Sequence, residues 1–153
     1  MIKSCLILAL MFQCALGACW LGWVEFKGVC YSFNPDYLPW LSAQASCQLY
    51  GARLIQVDSQ EKQEWLEKTL KETNLNNVWI GGTCRLHQST WFWVPSYRPI
   101  KNYTNWLAGQ PGNPSAEQCI QVYSGYQYKW NDLSCLTALQ YVCEKIGTTK
   151  VQS

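Results

Sequence analysis

Val78-Trp79-Ile80-Gly81-Gly82 and, further along, Trp130-Asn131-Asp132 are the stretches on which the fold of this chain turns. Valine, isoleucine and tryptophan suit a pleated, packed surface, so the first stretch reads as a strand. Trp91-Phe92-Trp93-Val94, Cys119-Ile120-Gln121-Val122-Tyr123 and Tyr141-Val142-Cys143 read the same way. Between the first and second of these lies a long segment, Pro95 to Gln118, rich in proline and asparagine. Segments of that length without regular structure are uncommon and usually functional.

Upstream the periodicity changes. Gly28 to Phe33 alternates like a short strand after a turn at Lys27-Gly28. Pro39-Trp40-Leu41 opens a helix whose apolar positions are Leu41, Ala45 and Leu49, with Gly51 where a C-terminal cap belongs. Asp58 and Glu61 form a capping-box-like start to a second helix running through Trp65, Leu66, Thr69 and Leu70. Two early helices followed by an antiparallel, loop-rich half predict an α+β fold.

Residues 1–17 place one cation, Lys3, before the apolar run Cys5 to Phe12 and end in Ala15-Leu16-Gly17. That pattern predicts a secretory signal peptide cleaved after Gly17, with an apolar core too short to span a bilayer. The expected layout is then a signal at 1–17, one domain at 18–146 and a flexible tail at 147–153, in a secreted, extracellular protein. Twelve basic against ten acidic residues leave the chain near neutral. Such a balance supplies neither the basic stripe of a nucleic-acid binder nor a polybasic membrane anchor, and no later segment is apolar enough for membrane insertion.

Catalysis lacks its parts. The sequence holds one histidine, His87, so Cys84 and His87 have no second imidazole to complete a metal site or a base. The acid pairs Asp58/Glu61 and Glu64/Glu67 read as the solvated face of the second helix. A binding protein is expected, not an enzyme.

Cys5 and Cys14 lie in the expected signal, leaving Cys19, Cys30, Cys47, Cys84, Cys119, Cys135 and Cys143. In an oxidising compartment most of these should be bridged, although spacing alone leaves their connectivity open. The odd count leaves one thiol over, for an interchain bond or as a free cysteine.

Trp79-Ile80-Gly81-Gly82, Trp130-Asn131-Asp132 and the order of the cysteines around them resemble the C-type lectin-like domain family, from roughly Cys19 to Lys145. The resemblance implies two helices and antiparallel sheets with a long calcium and sugar loop. It also implies three intrachain disulfides: Cys19–Cys30 in an N-terminal hairpin, Cys47–Cys143 and Cys119–Cys135. Cys84 is then the spare thiol, and a disulfide-linked homodimer or heterodimer through it is one expected outcome.

In that family a proline-containing tripeptide and the Trp-Asn-Asp strand hold a calcium ion that coordinates two sugar hydroxyls. The matching residues here are Gln110-Pro111-Gly112, Glu117, Asn131 and Asp132. Gly112 stands where the family carries Asn or Asp, which removes an oxygen ligand; Asn113, the next residue, is the expected substitute. The expected calcium ligands are therefore Gln110, Asn113, Glu117, Asn131 and Asp132. Gln110 in the first position points to galactose-type carbohydrate, bound by Gln110, Glu117, Asn131 and Asp132. Tyr126 and Tyr128 are the candidates to stack on the sugar. Asn102-Tyr103-Thr104 is an N-glycosylation sequon. Glycans of microbial surfaces, as in innate immunity, are candidate ligands. Calcium-independent protein binding and ice or mineral binding are the alternative functions.

Overall fold

The computed structural model describes residues 19–87 and 90–146; the expected signal peptide and tail lie outside them. A hairpin of β1 (Val24–Phe26) and β2 (Val29–Leu38) leads into α1 (Trp40–Leu49) and the short β3 (Arg53–Leu54). There follow α2 (Gln60–Thr73), β4 (Val78–Thr83), β5 (Phe92–Trp93), β6 (Arg98–Pro99), β7 (Cys119–Tyr123), β8 (Lys129–Leu133) and β9 (Leu139–Ile146). The expected α+β class is the one the chain adopts.

The main path through the sheet runs β1-β2-β9-β4-β5-β6, with β3 added beside β9, β7 beside β4 and β8 beside β7. Pairing is antiparallel throughout the described strands except between β4 and β9, which run parallel. That pair adds one parallel contact to the expected antiparallel sheets. It arises because β9 returns to lie between the N-terminal hairpin and the second half of the chain, so its direction is already set by β2. At the first hairpin, Lys27 and Gly28 both take positive φ, the geometry a tight turn between twisted strands requires.

β4 is buried along its whole length. Val78 and Ile80 face one core cluster with Leu66, Leu70, Ile120 and Trp130, while Trp79 faces a second with Trp40, Cys47 and Tyr141. Gly81 is required here for close approach: a Cβ on it would lie 2.9 Å from the backbone carbonyl oxygen of Leu54. The buried indoles keep their N–H groups satisfied, Trp40 donating to Ile80 O at 2.9 Å and Trp79 to Leu38 O at 3.0 Å.

α1 buries Trp40, Ala43, Gln44 and Cys47, and leaves Leu41, Ala45 and Leu49 outside. The expected apolar face is therefore the wrong one. Two anchors turn the helix: the Trp40 indole bonded into β4, and the Cys47–Cys143 disulfide to β9. Their spacing selects the i, i+3, i+4, i+7 stripe that runs through Cys47. The start of α2 also shifts by one residue. Ser59, not Asp58, is the cap, its Oγ accepting from Lys62 N at 3.2 Å.

All three expected disulfides are present, Cys19–Cys30, Cys47–Cys143 and Cys119–Cys135. The second closes the longest loop, with a sequence separation of 96, and in the chain-entropy account constrains the unfolded state most.

Glu144 of β9 is buried and held by Arg53 Nε at 2.9 Å and by Lys62 Nζ. Beside it, Tyr31 is buried, and burial, then the charges of Glu144 and Asp58, push its phenol well above the ordinary value of 10.0. A raised folded-state pKa means the unfolded chain loses this proton first. The associated stability is therefore intact below about pH 10 and falls as pH rises further, by roughly 1.4 kcal/mol per pH unit. Urea denaturation between pH 9 and 11 should show this decline, and Tyr31→Phe should flatten it.

Candidate functional site

β8 supplies one wall of the site. Trp130 and Asp132 point inward and Asn131 outward, following the two-residue alternation of a strand. Trp130 is fully buried, with rings of Trp93, Tyr103 and Trp106 edge-on around it and its Nε1–H donating to Gln63 Oε1 at 2.9 Å. The long segment is threaded along this strand: Trp130 N donates to Asn105 O and Leu107 N to Trp130 O, both at 2.8 Å. A turn then closes from Gln110 N to Leu107 O at 2.9 Å, with Gly109 at positive φ.

From there a cis peptide between Gln110 and Pro111 brings the next residues back onto β8. Asp132 Oδ2 accepts the backbone N–H groups of Gly112, at 2.9 Å, and Asn113, at 3.2 Å. The carboxylate is fully buried, yet its other oxygen, Oδ1, has no hydrogen-bond partner; neither has the buried Oε1 of Gln110. Both side chains touch Gly112: a Cβ there would lie only 2.8 Å from Gln110 Oε1, and the glycine N–H is the one that donates to Asp132 Oδ2. Unpaired buried oxygens, one of them on a carboxylate, are costly and therefore rare. A hard cation, which takes only oxygen ligands, fits this donor set.

The family model described as "Lectin C-type domain" matches residues 37–145. The chain belongs to the C-type lectin domain family. It is 39% identical over 134 residues to a type-2 ice-structuring protein of Osmerus mordax, covering 87% of this chain and 74% of that one. It is 36% identical over 133 residues to asialoglycoprotein receptor 2 of Mus musculus; that match covers 83% of this chain but only 42% of the receptor. Among solved structures, the carbohydrate-recognition domain of the mouse scavenger receptor C-type lectin superimposes with a TM-score of 0.77 at 30% identity, covering 86% of this chain and 98% of that one.

In this C-type lectin domain the expected ligand residues do not all converge. Gln110 and Asp132 present free oxygens, as described. Asn131 Nδ2 donates to the backbone carbonyl of Asp132 at 2.7 Å, and Glu117 is half-buried at the far end of the loop. Asn113 does not replace the side chain missing at Gly112. Its Oδ1 accepts from Ser115 Oγ at 2.7 Å, and its backbone oxygen caps a turn by accepting from Ala116 N and Glu117 N. The vacated space is filled instead by the Gln110 amide, which folds over the glycine.

The two tyrosines are placed elsewhere. Tyr126 is exposed in the 3-10 turn between β7 and β8, its ring against Tyr123. Tyr128 sits under Lys71 of α2, and its backbone oxygen accepts from Gln63 and Asn105. Four residues of extended chain separate Tyr128 from Asp132, about 13 Å at strand rise. Strand direction, which residue order alone does not reveal, carries them to the other end of the hairpin.

Cys84 is the free thiol, and it is fully buried. The sulfur lies 3.8 Å from Pro114 O, under the 110–118 loop. Burial, with Asp132 nearby as a lesser cause, raises its pKa above the ordinary thiol value. Of the two outcomes expected for it, an interchain disulfide and a free thiol, the structure shows the free, buried thiol. Asn102 of the sequon is exposed. No described helix is long and apolar enough to cross a membrane.

Proposed function

We propose that this chain is a secreted lectin that binds galactose-type carbohydrate through a calcium ion held at the Gln110–Asp132 pocket. The observation that carries the reading is the pair of buried, unpaired oxygens, Gln110 Oε1 and Asp132 Oδ1, on the two side chains that touch Gly112. In this reading Gln110 and Asp132 hold the ion with the oxygens they already present, and Asn131 and Glu117 complete its shell on a change of side-chain conformation. Calcium bound there supplies the open coordination positions that two vicinal sugar hydroxyls complete. The role of these residues is to hold the ion and orient the hydroxyls, a binding task and not a chemical one. The asialoglycoprotein receptor match and the Gln in the first tripeptide position support galactose as the ligand class. The three disulfides support an oxidising, extracellular setting.

Calorimetric titration with calcium should show one saturable binding event. In its presence the protein should be retained on a galactose matrix and released by chelator. Saturable calcium binding without retention on any galactose matrix would remove the sugar assignment and keep the ion. The match to an ice-structuring protein favours one second reading, ice binding, for which thermal hysteresis is the direct measurement.

A further inference from the structure

We propose that the 110–118 loop is a lid over Cys84, latched at Asp132, so that loss of the cation uncovers a reactive thiol. The cation coupling rests on the calcium reading above; the lid itself rests on contacts within the chain.

The loop is held at two places. At its start, Asp132 Oδ2 grips the N–H groups of Gly112 and Asn113. At its end, Gln118 O accepts from Thr83 Oγ1 at 2.6 Å and from Cys84 N at 3.1 Å, while Gln118 Nε2 donates back to Pro114 O at 3.2 Å. Between these anchors Ser115 and Ala116 are exposed and Pro114 and Glu117 only half-buried, so little apolar packing holds the middle down. The sulfur of Cys84 lies beneath this middle, against Pro114 O, and is fully covered. Segments with few buried apolar contacts open at low free-energy cost.

The second ingredient is the strain at Asp132. Its Oδ1 is unpaired in a fully buried setting, and Gln110 Oε1 shares that condition. A cation relieves both and tightens the loop onto β8. Without it, the same oxygens are relieved by admitting water, which means lifting the loop. The lid and the ion site therefore share one carboxylate. Under the lid the thiol stays protonated and inert, since burial disfavours the thiolate. Lifted, it becomes an ordinary exposed cysteine able to meet a partner.

The test is the rate at which the full chain, in non-reducing buffer, reacts with an aromatic disulfide thiol reagent, with Cys84→Ser as the blank. Calcium should slow labelling by about tenfold or more relative to chelator, as expected when a local opening is suppressed. Asp132→Asn should label fast with or without calcium. Thr83→Val, which frees the other anchor without touching the ion site, should also speed labelling in chelator. Equal rates for wild type, Asp132→Asn and Thr83→Val, all folded by circular dichroism, would overturn the lid. Calcium that binds by calorimetry yet leaves the rate unchanged would overturn the coupling. An absence of calcium heat would overturn the calcium reading, and faster labelling of the two variants would then still establish the lid.

Discussion

Trp130→Ala should cost about 3–5 kcal/mol of folding stability, the range for deleting a fully buried large aromatic side chain. Trp130 is 0% exposed and is the common neighbour of Trp93, Tyr103 and Trp106, so its loss leaves a hole that three rigid rings cannot close. The substitution also strands Gln63 Oε1, the acceptor of the indole N–H, in a buried position. Against a typical total of about 5–15 kcal/mol, the variant is expected to be marginal at physiological temperature. Equilibrium denaturation, followed by the shift in midpoint at constant slope, measures the effect. A loss below about 1 kcal/mol would mean that the ring is not the floor on which Asn131 and Asp132 rest.

Gly112→Asp is expected to act in the opposite direction, raising calcium affinity by roughly tenfold or more, because affinity follows ligand number and charge. The backbone permits it: the positive-φ glycines are Gly22, Gly28, Gly51 and Gly109, and Gly112 is not among them. The new Cβ meets only the far end of the Gln110 side chain, which can swing aside, and no backbone atom closer than Gly109 O at 3.8 Å. A carboxylate in this position adds a charged oxygen beside Gln110 Oε1. Calorimetry on parent and variant decides the matter, and unchanged affinity would show that the third tripeptide position does not face the ion. Gly112→Asn, adding oxygen without charge, should give a smaller gain.

The two substitutions show how far the site was legible in the sequence. Residue types and order single out Gln110, Asn131 and Asp132 as candidates, because a tripeptide with proline and a Trp-Asn-Asp strand are local signals; the structure leaves free buried oxygens on Gln110 and Asp132. Asn113 is held by an Asx-type bond from Ser115, a contact set by loop geometry that residue order does not show. Tyr126 and Tyr128 misled because nearness in sequence to Trp130 is distance along a strand, not nearness to the ligand end. The Gln110 amide filling the glycine's space, and the buried Cys84 beneath the loop, had no one-dimensional signal at all.

The fold divides along the same line. The strands at Val78–Thr83 and Cys119–Tyr123 and the helix through Trp65 and Leu70 follow from local composition and period. The cysteine pairs follow from order once the family is recognised. The face of α1 that goes inward does not: Leu41, Ala45 and Leu49 form the more apolar stripe, yet Trp40 and Cys47 win because one bonds to β4 and the other is tied to β9.

What the sequence by itself determined is the set of elements, the staples and the two polar motifs, all of which are encoded by neighbours along the chain. Only the tertiary structure decided which way α1 turns, that β4 and β9 run parallel, and that the loop bearing Gln110 closes over Cys84. Each of those depends on groups brought together from distant positions, a disulfide spanning most of the domain in one case and a single buried carboxylate in another. Asp132 belongs to both accounts: its motif announced it, but only the fold left one of its oxygens buried and unpaired.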